Sequence, residues 1–169
     1  MFKNIILFKS KIQIDHRGYF FESFNDKIKK KLSKTFVQDN ISFSKRKFTF
    51  RGFHYQIRPY SQGKLLTVLK GKIYDYVIDI DPKSKTYLKL KKFTLSQKIN
   101  NQIYIPPNYA HGFITLTNNT LVTYKVTKKY KRTHERGINV FDKSIKINLP
   151  VTKSKLIISK KDLSFKYLD

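Results

Sequence analysis

This sequence predicts an all-β fold, a sandwich or barrel with only minor short helices, and two observations predict it. Short β-rich runs recur through the middle of the chain, and turn-forming clusters separate each from the next. In residues 72–80 the side chains alternate, with Tyr74, Tyr76, Ile78 and Ile80 on one face and Ile73, Asp75, Val77 and Asp79 on the other. Residues 87–95 alternate Leu with Lys over their first half, the pattern of a strand with one face in water. Further runs occupy 64–69, 102–105, 113–116 and 121–127. Between them stand Lys70-Gly71-Lys72, Asp81-Pro82-Lys83-Ser84, Pro106-Pro107-Asn108 and Thr117-Asn118-Asn119. Helical signal is thin. Asn25 can cap a short helix over 26–32 with Asp26 in its first turn, and 159–165 reads as a turn of helix or an ordered tail.

With 169 residues and no repeat, flexible linker or low-complexity tract, the expectation is one domain, 1–169, around one core. Hydrophobic residues make up 40% of the chain, enough to argue for a folded protein despite its charge. There is no Cys, so disulfides, thiolate catalysis and Cys-based zinc sites are excluded. The apolar run near the N-terminus is too short for a signal peptide, and no stretch approaches a membrane span. The expected setting is therefore cytoplasmic, without a membrane partner.

A net charge of +25 raises nucleic acid as a partner. The lysines, however, are spread along nearly the whole chain, at 29–31, 89, 91–92, 128–129 and 160–161, instead of forming one basic helix, tail or stripe. Lysine replacing other solvent-facing residues is the simpler reading, and nucleic acid is not the expected partner. The positive field can still help to capture a phosphorylated small molecule.

Two segments could carry chemistry. In Arg51-Gly52-Phe53-His54-Tyr55-Gln56 an unbroken strand would point Arg51 and His54 to opposite faces, but Gly52 tolerates a bulge that brings both to one side. A strand with a half-buried, hydrogen-bonded His is the plain alternative for this segment alone. Ile105-Pro106-Pro107-Asn108-Tyr109-Ala110-His111-Gly112-Phe113 leads through a double proline and small residues to a His just before a strand, which alone could be a rigid turn. Lys64 opens an apolar strand, a place where lysines are usually solvated. Tyr124 shares a strand face with Val122 and Val126, where core packing is the commoner fate.

Taken together, these segments resemble the dTDP-4-dehydrorhamnose 3,5-epimerase family of the cupin superfamily. The resemblance starts at Asp15-His16-Arg17-Gly18-Tyr19-Phe20-Phe21-Glu22-Ser23-Phe24 and continues through Phe36-Val37-Gln38-Asp39-Asn40-Ile41-Ser42 and the Arg51–Gln56 stretch. It goes on at Gln62-Gly63-Lys64-Leu65, Gly71-Lys72-Ile73-Tyr74-Asp75 with Asp79, Ile105-Pro106-Pro107, Ala110-His111-Gly112-Phe113 and Tyr124-Lys125-Val126-Thr127, and ends at Ser159-Lys160-Lys161-Asp162. Order and spacing agree over essentially the whole chain.

The resemblance implies a cupin-type antiparallel β-sandwich, a jelly roll, that dimerises with itself by exchanging N-terminal strands. It also implies epimerisation at C3 and C5 of dTDP-4-keto-6-deoxyglucose on the way to dTDP-L-rhamnose, with no cofactor. The proton next to the C4 ketone is acidic enough for a side-chain base because the resulting anion is an enolate. By the family pattern His54 is the base, Asp162 its supporting carboxylate, Lys64 the enolate stabiliser and Tyr124 the acid on the opposite face. Arg51 would hold a phosphate. Arg17, Glu22, Gln38 and Asn40 match substrate contacts, some of them across the dimer, and His111 matches a site-lining His. No metal is implied, since the His-x-His of metal cupins is missing.

Three departures accompany the match. Ile41 stands where the family usually has a His, and Val140 (or Phe141) and Leu149 stand where it commonly has tryptophans. Tyr130 is the candidate stacking surface for the nucleotide base. The proton-transfer set is complete, so C3-only epimerisation or 3,4-ketoisomerisation of a related sugar is the nearest alternative. A sugar- or polyanion-binding cupin without catalysis is the non-enzyme alternative.

Overall fold

The computed structural model describes residues 2–168. In chain order its strands are β1 (Ile6–Lys9), β2 (Gln13–Asp15), β3 (Gly18–Phe20), β4 (Gln38–Ser44), β5 (Phe50–Gln56), β6 (Lys64–Lys70), β7 (Lys72–Asp79), β8 (Leu90–Ser96), β9 (Asn101–Ile105), β10 (Tyr109–Thr115), β11 (Thr120–Val126) and β12 (Glu135–Gly137). Helix α1 (Asp26–Leu32) follows β3, and α2 (Lys160–Leu163) lies near the C-terminus. One five-stranded sheet has the order β1-β9-β6-β11-β4, and a second has the order β12-β5-β10-β7-β8. The β2–β3 hairpin pairs only with itself. Every pair of these strands is antiparallel.

The alternation in β7 explains how the layers stack. Ile73 and Val77 face the other sheet, where they meet Leu66, Val68, Ile103, Ile105 and Val122. Tyr76 and Ile78 point the other way, onto Phe50, Phe53, Ala110 and Ile114. That outer face is covered by the chain after β12, through Ile138, Val140 and Ile145. The central strands β7 and β10 are therefore largely buried on both faces. On the far side of the first sheet, Ile28 and Leu32 of α1 cover Leu65 and Tyr104. Among the described residues the interior divides into three buried clusters, where length suggested a single core. Each completely buried aliphatic such as Leu66 or Ile78 would cost about 2–5 kcal/mol if cut to Ala.

Helix α1 forms over the expected residues, and Asn25 Oδ1 accepts from the Ile28 N–H at 3.1 Å. Two strand expectations need correction. Residues 87 and 88 are a turn, residue 89 has no regular structure, and the strand begins only at Leu90. The buried Asp79 carboxylate takes the hydroxyls of Ser84 (2.6 Å) and Thr86 (2.5 Å), curling the chain before it can extend. Strand β10 starts at Tyr109, so Ala110, His111 and Gly112 lie inside it and not ahead of it. The small residues there serve a close strand contact that the sequence pattern does not express.

Candidate active site

The site begins with an irregularity between β5 and β10. Register runs from His111↔His54 to Phe113↔Arg51, so a step of two residues in β10 faces a step of three in β5. The extra residue sits beside Gly52, which has φ +133°. A Cβ there would lie 2.4 Å from the Gly112 α-carbon. Two glycines thus let the strands close up while the bulge turns Arg51 and His54 to the same side. Both line one cleft of about 640 Å³, together with Lys64, His111, Tyr124 and Asp162. His54, Lys64 and Tyr124 also line an adjoining cleft with Gln38, Asn40, Tyr130 and Glu135.

His54 Nε2 bonds Asp162 Oδ1 at 2.9 Å, while the other Asp162 oxygen accepts the Gly52 N–H at 3.2 Å. Asp162 sits in α2, where the Ser159 hydroxyl caps its N–H at 3.0 Å. Burial pushes the Asp162 carboxyl up, but the hydrogen bonds from His54 and Gly52 outweigh it and hold the group below the usual carboxylate range. An ionised partner on one ring nitrogen leaves the other, Nδ1, as the basic one.

Lys64 is buried at the start of β6, and its Nζ donates to the His54 carbonyl at 3.3 Å. Desolvation lowers its pKa to about 8 against the pull of Asp75 and Glu135. The ammonium therefore persists at neutral pH with little to spare. Tyr124 pairs with Asn40 on one side and Leu66 on the other. Burial raises its phenol pKa, Arg51 opposes and Glu135 adds, so the hydroxyl keeps its proton.

His111 Nε2 bonds Asp75 Oδ2 at 2.6 Å in the floor of the cleft. Burial pushes the imidazole down while Asp75 pulls it up. Arg51 reaches the edge of β4, donating to Ser44 Oγ at 3.2 Å and the Phe43 carbonyl at 2.9 Å. Gln38 donates to Asn40 Oδ1 at 2.7 Å and accepts the Tyr130 N–H at 3.2 Å, which ties these three together.

Two expected substrate contacts lie elsewhere in this chain. Arg17 is exposed on the β2–β3 hairpin and pairs with Asp15 at 2.6 Å. Glu22 accepts from Asn25 Nδ2 at 2.6 Å and lines a groove beside α1. Three residues at the site went unnoticed in the sequence. Glu135 binds Lys161 Nζ at 2.6 Å and the Tyr130 hydroxyl at 2.7 Å, and Phe165 packs its ring against His54. Lys161 stood inside the Ser-Lys-Lys-Asp match, but Glu135 and Phe165 carried no local signal. Among the described residues, no group of three or more His, Cys, Asp or Glu could hold a metal ion. No helix among them is long and apolar enough to cross a membrane.

The family model for dTDP-4-dehydrorhamnose 3,5-epimerase matches residues 1–169. The chain belongs to this family. A dTDP-4-dehydrorhamnose 3,5-epimerase of Shigella flexneri is 39% identical over 164 residues, covering 95% of this chain and 89% of that protein. The solved dTDP-4-dehydrorhamnose 3,5-epimerase of Bacillus anthracis, with TDP and PPi bound, superposes with a TM-score of 0.92 at 38% identity, covering 98% of this chain and 94% of the other. A dTDP-6-deoxy-D-glucose-3,5-epimerase of Legionella pneumophila, in complex with dTDP-4-keto-L-rhamnose, gives a TM-score of 0.90 at 36% identity, covering 96% and 87%. The two-sheet sandwich is thus the cupin jelly roll of these epimerases.

Proposed function

We propose that residues 1–169 act as one cupin-type domain that epimerises C3 and C5 of dTDP-4-keto-6-deoxyglucose, with His54 and Tyr124 moving the protons. The observation that carries the assignment of roles is the cleft that gathers His54, Lys64, Tyr124 and Asp162 from four separate elements. His54 takes a proton from carbon next to the ketone, and Asp162 supports the imidazolium that forms. The electron pair moves onto the ketone oxygen as an enolate, beside the buried ammonium of Lys64. Tyr124 returns a proton to the opposite face, which inverts the centre. The ketone itself is the electron sink, so the step balances without a cofactor. Arg51 holds a phosphate, Gln38, Asn40 and His111 contact the substrate, and Tyr130 offers a face to the nucleotide base.

Arg17 and Glu22 fit this scheme as contributions across a homodimer with exchanged N-terminal strands. A two-stranded hairpin is marginal by itself, and Ile14 and Phe20 of this one are 79% and 63% exposed. Strand β4 is a sheet edge, and its Ile41 is 74% exposed at the cleft. A second copy's hairpin would cover both surfaces and bring Arg17 and Glu22 to the site. A cytoplasmic setting accords with a nucleotide-linked substrate.

Turnover of dTDP-4-keto-6-deoxyglucose in deuterium oxide tests the reaction. Deuterium should enter C3 and C5, and incorporation at C3 alone would overturn double inversion in favour of C3-only epimerisation. Mixing inactive His54→Ala and Arg17→Ala chains tests the exchange. Mixed dimers should regain activity, because one of their two sites then has both residues intact.

A further inference from the structure

His54 is held on two sides by the C-terminal segment. Asp162 takes its Nε2, and the Phe165 ring meets the imidazole edge to face, with centroids 5.4 Å apart and planes at 77°. Phe165 rests on Gly137, the β12 residue that pairs with His54 in the sheet. A Cβ at Gly137 would fall 2.3 Å from the phenyl carbons, so the ring lies directly on bare backbone.

The segment is anchored from beneath by Asn139, which is 2% exposed. Its Nδ2 donates to the carbonyls of Leu163 at 2.9 Å and Phe165 at 3.2 Å. Its backbone N–H donates to the Lys166 carbonyl at 3.2 Å, and its Oδ1 accepts the Phe141 N–H at 3.0 Å. The buried amide nitrogen and the backbone N–H thus hold the chain on either side of Phe165 in place, while the amide oxygen is satisfied within its own loop.

A single hydrogen bond fixes one atom of an imidazole and leaves the ring free to pivot about that atom. A second contact, on the ring itself, removes the pivot. We infer that Phe165, seated on Gly137 and latched by Asn139, is a positioning residue for His54: Asp162 fixes one nitrogen and Phe165 fixes the ring plane. The inference rests on the reading of His54 as the base. It concerns no substrate contact, since Phe165 acts through the imidazole.

The test uses the full chain with Phe165→Ala, Phe165→Leu, Phe165→Tyr and Asn139→Ala. Two readouts are followed: steady-state kinetics, and the imidazole nitrogen signals of His54 by NMR in the free enzyme. Phe165→Ala should lower kcat about tenfold with KM within about twofold, because a misplaced base harms the chemical step more than binding. The His54 nitrogens should change from one tautomer, protonated at Nε2, to a mixture. Phe165→Tyr should restore both readouts, and Asn139→Ala should reproduce both losses in weaker form.

Unchanged kcat in Phe165→Ala, or a lower kcat with His54 nitrogen signals unmoved, would overturn the positioning role. If Phe165→Ala does not fold, the Leu and Tyr variants carry the test, and equal kcat in those two would likewise overturn it. Failure of the underlying reading looks different. His54→Ala would then retain turnover, whatever the nitrogen signals of the Phe165 variants show.

Discussion

Two histidine–aspartate pairs stand side by side in this protein, and they differ in how much of each the cleft can reach. His54 and His111 are direct partners across β5 and β10. Each binds a carboxylate through Nε2, at 2.9 Å to Asp162 and 2.6 Å to Asp75. The side chain of His54 is 31% exposed, that of His111 only 8%. Asp75 comes from β7, the strand next to β10, and is sealed in the sheet; one of its oxygens has no described partner. Asp162 comes from a short capped helix packed over the sheet edge. The inner pair is set by strand register and shows the cleft only a small part of the His111 ring. The outer pair shows one ring edge to the cleft, so it can exchange a proton with what binds there. Identical residue chemistry thus acquires different uses through burial alone.

The largest expected contrast comes from removing each histidine. His54→Ala should lower turnover by at least about a thousandfold, the upper range for losing a general base, while dTDP binding by calorimetry stays nearly unchanged. Retained turnover would break the assignment. His111→Ala should show first in stability: it strands a buried carboxylate, a loss of about 3–5 kcal/mol readable in a denaturant melt. An unchanged midpoint would mean that the inner pair is no clamp.

Lys64 lies between the pairs and sharpens the comparison further. Its pKa falls from 10.5 unfolded to about 8 folded, through burial. Below pH 8 the folded protein holds a charged ammonium at a cost, whereas above 10.5 both states are neutral there. Between these values the unfolded chain binds the extra proton, so this group makes stability rise with pH. Lys64→Met should therefore stabilise the protein at pH 7 by about 3 kcal/mol, while lowering kcat about a hundredfold. With the proposed role for Lys64, kcat of the parent enzyme should fall as pH rises through about 8, where its ammonium loses the proton. A thermal melt and a pH–rate profile check the two halves. The smallest effect should come from Ser159→Ala, which uncaps the Asp162 helix: about 1 kcal/mol of stability and a few-fold in kcat. An unchanged kcat would show that the carboxylate needs no help from its cap.

The contrast between the pairs also marks how far the sequence could be read. The alternation of β7 and the capped helix α1 were visible because each depends on residues within one or two turns of one another. The Arg51–His54 bulge was legible from Gly52, since only a glycine accepts that backbone and that approach to Gly112. The turn that ends at Leu88 was not, because its cause is the Asp79 carboxylate gathering hydroxyls from a later loop. Glu135 and Phe165 were also invisible, since neither lies in a pattern and each matters only for what it touches.

What the sequence by itself determined was most of the short strands between Lys64 and Val126, the helix cap and the family motifs that contain His54, Lys64, Tyr124 and Asp162. Periodicity and turn chemistry act over a few residues, so they survive in the one-dimensional order. Only the tertiary structure decided which nitrogen of His54 meets Asp162, that Lys64 is buried instead of solvated, and that Phe165 closes the other side of the imidazole. It also left Arg17 and Glu22 away from the cleft of their own chain. These outcomes depend on which surfaces the sheets leave open for the C-terminal segment and the hairpin to cover, and burial of that kind is a property of the packed layers, not of any segment.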